Sequence, residues 1–159
     1  MKIFATHFHS PLGEMLLLAT EAGLKGVYFS GQRYLPATDP EWLWDSAPLA
    51  DAKRSLDAYF AGDFRVPLPA LHSHGTAFQQ HVWAELCKIP TGHTCSYGEI
   101  ARRLDAPKAV RAVAAAIGRN PVSILVPCHR VVGKDRSLTG YAGGLDRKAW
   151  LLAHEQAPG

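Results

Sequence analysis

The sequence predicts an α/β protein. A small N-terminal α/β domain of sheet plus helix covers residues 1–70, and a mostly helical C-terminal domain with a helix-turn-helix covers residues 71–159. Three observations predict this. Residues 12–29 carry a hairpin pattern, two capping-box signatures open helices in the second half, and the charge changes sign between the halves. Residues 1–70 hold 6 Lys/Arg against 8 Asp/Glu, a net −2, whereas residues 71–159 hold 11 against 6, a net +5. A positive surplus confined to one half marks that half as the one suited to a polyanion.

In the hairpin, residues 15–20 form one strand, Glu21-Ala22-Gly23 the turn, and residues 24–29 the return strand. Residues 30–48 are rich in Gly, Pro and Trp with no period and predict a long connection. Leu49, Ala52, Leu56, Tyr59 and Phe60 share one helical face, and Gly62 stops that helix. Pro67-Leu68-Pro69-Ala70 has linker composition.

Thr76 with Gln79 opens the second half as a capping box, and Phe78, Val82 and Leu86 form a stripe that ends near Lys88. Ser96 with Glu99 opens a short helix through Leu104. Asp105-Ala106 breaks it, and Pro107 suits the first position of a helix that runs to about Gly118. Two short helices joined by a tight turn in a basic region predict a helix-turn-helix. Ile124-Leu125-Val126 predicts a buried strand, and a last helix over residues 145–154 follows Gly143-Gly144.

Composition excludes several classes. The chain is 47% apolar and 19% charged, ordinary for a folded protein, and no run of 18 apolar residues exists to span a membrane. The first seven residues turn polar too early for a signal peptide, so a cytoplasmic protein is expected. The odd count of Cys87, Cys95 and Cys128, with no export signal, argues against a disulfide framework, and the lack of a Cys-x-x-Cys argues against a zinc site. His72 and His74 read as solvated loop residues, so neither metal nor cofactor is expected. Cys87 reads as core, and Trp42, Trp44, Trp83 and Trp150 as packing residues.

The chemistry lies in Pro127-Cys128-His129-Arg130. A thiolate, not a thiol, is the nucleophile, so a cysteine that attacks carbon needs a base. His129 is the adjacent candidate, reached through a turn or a bridging water, and Glu155 near the chain's end is a candidate to orient it. Taken alone the segment leaves open a buried structural thiol, a Cys-His hydrolase, a group transferase and a binding module that does not use its thiol.

The surrounding run narrows the choice. Residues 120–132 (Asn-Pro-Val-Ser-Ile-Leu-Val-Pro-Cys-His-Arg-Val-Val), Thr139-Gly140-Tyr141-Ala142-Gly143-Gly144-Leu145 and residues 148–155 resemble the O6-alkylguanine-DNA alkyltransferases. The resemblance extends upstream through residues 96–101 and 107–113, and reaches residues 1–70 only loosely, through Ser10-Pro11-Leu12-Gly13 and the hairpin. It implies DNA repair by direct, stoichiometric, irreversible transfer. An alkyl group passes from O6-alkylguanine, and from O4-alkylthymine, in double-stranded DNA to Cys128, after the damaged nucleotide flips out through the minor groove.

By resemblance, His129 and Glu155 are the water-linked base and its carboxylate. Asn120 is a hinge between recognition helix and active-site turn. Tyr97 rotates the nucleotide and assists the departing base, and Arg111 fills the vacated stack. Val131, Tyr141 and Ala142 line the base pocket, with the Ala142 N–H facing the guanine oxygen. Ala109 and Ala112 keep the recognition helix slim enough for the minor groove. Lys108, Arg119 and Arg130 are candidate phosphate contacts. A monomer is expected.

Overall fold

Strands begin earlier than the hairpin pattern. The computed structural model describes residues 1–65 and 67–156; Val66 and residues 157–159, which fall inside the two predicted domains, lie outside the described residues. A sheet ordered β3-β2-β1-β4 forms the first unit. β2 (Gly13–Thr20) and β3 (Gly23–Phe29) are the expected hairpin. β1 (Phe4–Ser10) is the strand the pattern missed, and it pairs antiparallel with β2 from Phe4 opposite Ala19 to Ser10 opposite Gly13. His7 and His9 are exposed on it, so its hydropathy signal is weak. β4 (Leu43–Trp44) pairs parallel with β1 inside the predicted connection.

The hairpin turn needs its glycine. Gly23 has φ +151°, and a Cβ there would lie 2.6 Å from the Ala70 carbonyl. That approach is real pairing, because Leu24 N–H donates to Ala70 O at 2.8 Å and His72 N–H to Leu24 O at 2.7 Å. The end of the predicted linker therefore runs alongside β3. α1 (Ala50–Phe60) buries Ala52, Leu56 and Tyr59, with Leu49 buried just ahead of it, while Phe60 is half-buried and stacks on Phe8 with ring centroids 6.2 Å apart.

Two compact units divide the described residues: residues 1–74 with 121–125, and residues 75–120 with 126–156. Pro121 O accepts from Val27 N–H at 2.8 Å, and Ser123 N–H donates to Val27 O at 3.0 Å. The predicted strand at Ile124–Val126 does not form. Leu125 N–H instead donates to Ser123 O at 2.8 Å around Ile124, whose φ is +72°, a γ-turn. Ile124 and Val126 are still buried. Burial without a ladder looks like a strand in the hydropathy pattern.

In the second unit, α2 (Ala77–Leu86) and α3 (Tyr97–Arg103) each start on the predicted capping box, with both reciprocal bonds made. Phe78 is exposed, unlike Val82 and Leu86. Trp83 is buried instead, and its indole N–H donates at 2.8 Å to Ala116 O of α4 (Val110–Gly118). Pro107 is not the first residue of α4. α3 ends in a Schellman motif, with Asp105 at φ +55°, Ala106 N–H donating to Ala101 O at 2.9 Å and Asp105 N–H to Arg102 O at 3.0 Å. The chain then spends residues 107–109 on a further turn, and Ala109 becomes the N-cap. The helix-turn-helix is present, with a longer turn than expected. α5 (Leu145–Gln156) closes the unit. Cys87 and Trp44 are exposed, against the packing roles expected for them. No helix among the described residues is long and apolar enough to cross a membrane.

Candidate functional site

The candidate acceptor is held by its own turn. Pro127 (φ −82°, ψ 63°) makes an inverse γ-turn in which Cys128 N–H donates to Val126 O at 2.8 Å. Cys128–Arg130 continue as a 3-10 turn rather than a strand, so Cys128 and His129 are not forced to opposite faces. Asn120 follows the end of α4 and is buried. Its Nδ2 donates to Val126 O at 2.9 Å, and its side chain also hydrogen-bonds the Cys128 sulfur. One amide therefore ties α4 to the acceptor. Cys128 is only 5% exposed. Burial pushes its thiol above the usual range, while the Asn120 bond, the Lys148 charge and the N–H groups of Cys128 and His129 pull it down without cancelling the rise.

His129 is fully buried, and its Nε2 shares a 2.5 Å hydrogen bond with Glu155 Oε2. Arg130 reaches both carboxylate oxygens, Nε to Oε1 at 2.7 Å and Nη2 to Oε2 at 3.2 Å. Burial favours a proton on Glu155, but His129 and Arg130 outweigh it and bring the pKa down to about 2. An ionised carboxylate only accepts, so Nε2 carries the hydrogen. Burial also pushes His129 below its ordinary range, so the imidazole is neutral and Nδ1 keeps a lone pair. That buried Nδ1 has no hydrogen-bond partner among the described residues.

Tyr97 begins α3, and its hydroxyl donates to Thr139 O at 3.3 Å. A short parallel pair joins this helix start to the acceptor turn: β5 (Cys95–Ser96) beside β6 (Val131–Val132), with Cys95 opposite Val131. Val131 is fully buried, and Tyr141 and Ala142 are half-buried. Lys108, Arg111, Ala112 and Arg119 are exposed, and Ala109 is half-buried at the N-cap of α4. Arg130 departs from its expected role. Besides Glu155 it donates to Ile89 O at 2.7 Å and Thr91 Oγ1 at 3.2 Å, so its guanidinium is committed inside the protein and not to a phosphate.

Sequence reasoning missed Lys148 and Thr139. Lys148 is fully buried on the α5 face that carries Leu151 and Glu155. The 3-4 spacing of those three residues was the available signal, since it puts the lysine on the face of the predicted carboxylate.

A helix-turn-helix in the same unit as a partnered thiol and a neutral imidazole defines a class: DNA-acting proteins whose covalent chemistry runs through cysteine. The comparisons give the particular family. The 6-O-methylguanine DNA methyltransferase DNA-binding domain matches residues 77–157, and the ribonuclease-like domain of the same family matches residues 3–70. The methylated-DNA–protein-cysteine methyltransferase of Methanosarcina acetivorans is 47% identical over 93% of this chain and 95% of its own length. That of Haemophilus influenzae is 41% identical over 98% and 88%. The crystal structure of Mycobacterium tuberculosis O6-methylguanine methyltransferase superposes with a TM-score of 0.85 at 43% identity, covering 98% of this chain and 95% of that one. The Mycobacterium tuberculosis protein in complex with DNA superposes at 0.84 and 41% identity, covering 98% and 93%. This chain belongs to the 6-O-methylguanine DNA methyltransferase family, the methylated-DNA–protein-cysteine methyltransferases.

Proposed function

We propose that this chain repairs duplex DNA by moving an alkyl group from O6 of guanine to Sγ of Cys128, once per molecule. The observation that carries the reading is the buried Cys128 sulfur, bonded by Asn120 and followed in sequence by the His129–Glu155 pair. An Sγ–C bond forms and the C–O6 bond breaks. The bonding pair stays on guanine, which takes up a proton as it leaves. The thiol proton passes through one water to His129 Nδ1, while Glu155 and Arg130 hold the imidazole in the tautomer that leaves this atom open. The product is a thioether, which water does not cleave, so the protein is spent after one turnover.

The damaged nucleotide reaches Cys128 by flipping out through the minor groove, because a stacked base cannot present O6 to a buried sulfur. Arg111 fills the vacated stack, and Tyr97 turns the nucleotide and gives the leaving base its proton. Val131, Tyr141 and Ala142 wall the base pocket. Ala109 and Ala112 let α4 approach the groove closely, and Lys108 and Arg119 contact phosphates. Residues 71–159 bind and react, and residues 1–70 have a structural role. The protein acts as a monomer in the cytoplasm, where its three free thiols stay reduced.

The test is mass spectrometry of the protein after exposure to duplex DNA that contains O6-methylguanine. One added methyl group per molecule, on Cys128, is expected. Repeated turnover, or an unmodified protein, overturns the reading.

A further inference from the structure

The Tyr97 hydroxyl already has two hydrogen-bond partners within the chain, and both belong to Thr139. Tyr97 Oη lies 3.3 Å from Thr139 O and 3.3 Å from Thr139 Oγ1. A carbonyl only accepts, so the single Tyr97 hydroxyl hydrogen goes to Thr139 O, and between the two hydroxyls Thr139 is the donor. Tyr97 is half-buried at the start of α3, whereas Thr139 is exposed in the loop that leads through Gly140 into Tyr141 and Ala142. One residue of the proposed pocket loop therefore holds both the proton and a lone pair of the proposed proton donor.

Releasing that proton strands no partner. Thr139 O also accepts from the Lys148 ammonium at 2.6 Å, a short bond to a cation, whereas 3.3 Å is long for O–H···O. When Tyr97 turns its hydrogen toward a substrate, the carbonyl keeps its stronger donor. The same ammonium donates to Val131 O at 2.6 Å and to Gly140 O at 3.2 Å. It thereby fixes Thr139 together with Val131, the residue after the acceptor turn. A proton given up by Tyr97 leaves a phenolate. The Thr139 hydroxyl already donates to that oxygen, and a hydrogen bond to the charged form favours it without reorganisation.

We propose that Thr139 is a positioning residue for the transfer: its hydroxyl holds Tyr97 beside the pocket loop and donates to the tyrosine oxygen as that oxygen gives its proton to the departing base. The proposal rests on the reading of Cys128 as acceptor and Tyr97 as proton donor. In this step the Tyr97 O–H bond breaks, and an electron pair of the base forms the new bond to hydrogen. The O–H pair stays on Tyr97 as phenolate, and Thr139 Oγ1 keeps its own hydrogen. The proton that His129 took from the thiol returns to Tyr97 by way of solvent, so the net reaction consumes none.

The experiment uses the full chain and Thr139→Val, which keeps the carbonyl and removes only the hydroxyl. Thr139 is exposed, so the variant should fold. Free O6-methylguanine is the substrate, since it needs no flipping, and methylation of Cys128 is followed by mass spectrometry. Thr139→Val should react about tenfold more slowly, the effect of one hydrogen bond to a charged group, and Thr139→Ser should recover most of the rate. In a Tyr97→Phe background Thr139→Val should add nothing, because it acts through the tyrosine. An unslowed Thr139→Val, a serine variant as slow as the valine, or equal slowing in both backgrounds overturns the proposal. If Tyr97→Phe is too slow to follow, the leaving group is varied instead. Free O6-methyl-8-azaguanine carries an extra ring nitrogen that stabilises the departing anion, so it leaves with less need of a proton. The gap between wild type and Thr139→Val should narrow on it, and an equal gap on both bases overturns the proposal. A wild-type chain that accepts no methyl group sinks the proposed function and this inference with it. A wild type that transfers while Thr139→Val keeps pace sinks the inference alone.

Discussion

The acceptor turn and the exposed face of α4 lie in one unit but are built in opposite ways. Around Cys128 the polar side chains, His129 Nδ1 apart, are paired within the chain: Asn120 to sulfur and Val126 O, His129 Nε2 to Glu155, Arg130 to Glu155 and Ile89 O, Lys148 to three carbonyls. On and beside α4, Lys108, Arg111, Ala112 and Arg119 are exposed. The first region is set before any substrate arrives, as charge-forming chemistry requires of its donors. The second gains meaning only against a phosphate backbone. Buried partners interact in low dielectric, where losing one is expensive, whereas exposed charges interact through water. Mutations at the turn should therefore have few and large effects, and mutations on the helix several small, nearly additive ones.

Cys128→Ser gives the largest break. An alcohol is too weakly acidic for imidazole to ionise, so transfer should disappear while DNA binding remains. Methyl transfer in the wild type should map by mass spectrometry to Cys128 and never to Cys87 or Cys95; a methyl group on either refutes the assignment. Glu155→Gln comes next. Removing one partner of a buried ion pair costs about 3–5 kcal/mol, here by stranding Arg130, and urea denaturation would report it. Acid should act on the wild type in the same direction. Glu155 is depressed from 4.5 to about 2, so its stabilisation is complete above about pH 4.5 and is lost as pH falls toward 2. His129 is depressed below 6.5, so the unfolded chain binds its proton more readily and stability already falls below about that pH. Urea midpoints should decline from neutral to acid pH, and Glu155→Gln should flatten the stretch below about pH 4.5. A wild-type midpoint constant over this range contradicts the buried network.

The same contrast explains what the sequence made legible. Capping boxes at Thr76 and Ser96 depend on residues three apart, so α2 and α3 start where the pattern puts them. Pro107 failed because local preference for a first helical position competed with the Schellman motif at Asp105, which pattern reading does not see. β1 stayed hidden because exposed His7 and His9 break its apolar run, and Ile124–Val126 misled because γ-turns can be as buried as strands. The Pro-Cys-His-Arg segment supplied the acceptor and the base proposed here. Residue type alone made Arg130 a phosphate ligand and left Lys148 without a role. Only the fold brings Glu155 to one and the Val131, Thr139 and Gly140 carbonyls to the other.

Arg111 sharpens the comparison from the helix side. A residue that fills the vacated stack offsets the few kcal/mol of unstacking, so Arg111→Ala should slow transfer from duplex DNA by about tenfold or more. Transfer from free O6-alkylguanine base, which needs no flipping, should change far less. The measurement is the single-turnover rate on both substrates, with duplex saturating. Equal losses would make Arg111 a part of the active site, and no loss an ordinary surface charge.

The smallest effect separates exposed arginine from buried arginine. If Lys108 and Arg119 contact phosphates, each releases about one counterion on binding, and each alanine variant should reduce the slope of log affinity against log salt by about 0.9. The loss at any one salt concentration would be modest and similar for every flanking sequence, because phosphate contacts carry no base information. Arg130→Ala should behave differently. Its guanidinium is held by Glu155, Ile89 O and Thr91, so its removal should lower the urea midpoint and leave the salt slope of the folded protein unchanged. Lys108→Ala and Arg119→Ala should leave the urea midpoint close to that of the wild type, within the half kcal/mol or so typical of surface substitutions. Fluorescence anisotropy with labelled duplex over a range of salt concentrations gives the slopes, and urea denaturation gives the midpoints. If Arg130→Ala flattens the salt slope while Arg119→Ala does not, the division between paired interior and DNA-facing helix is drawn in the wrong place.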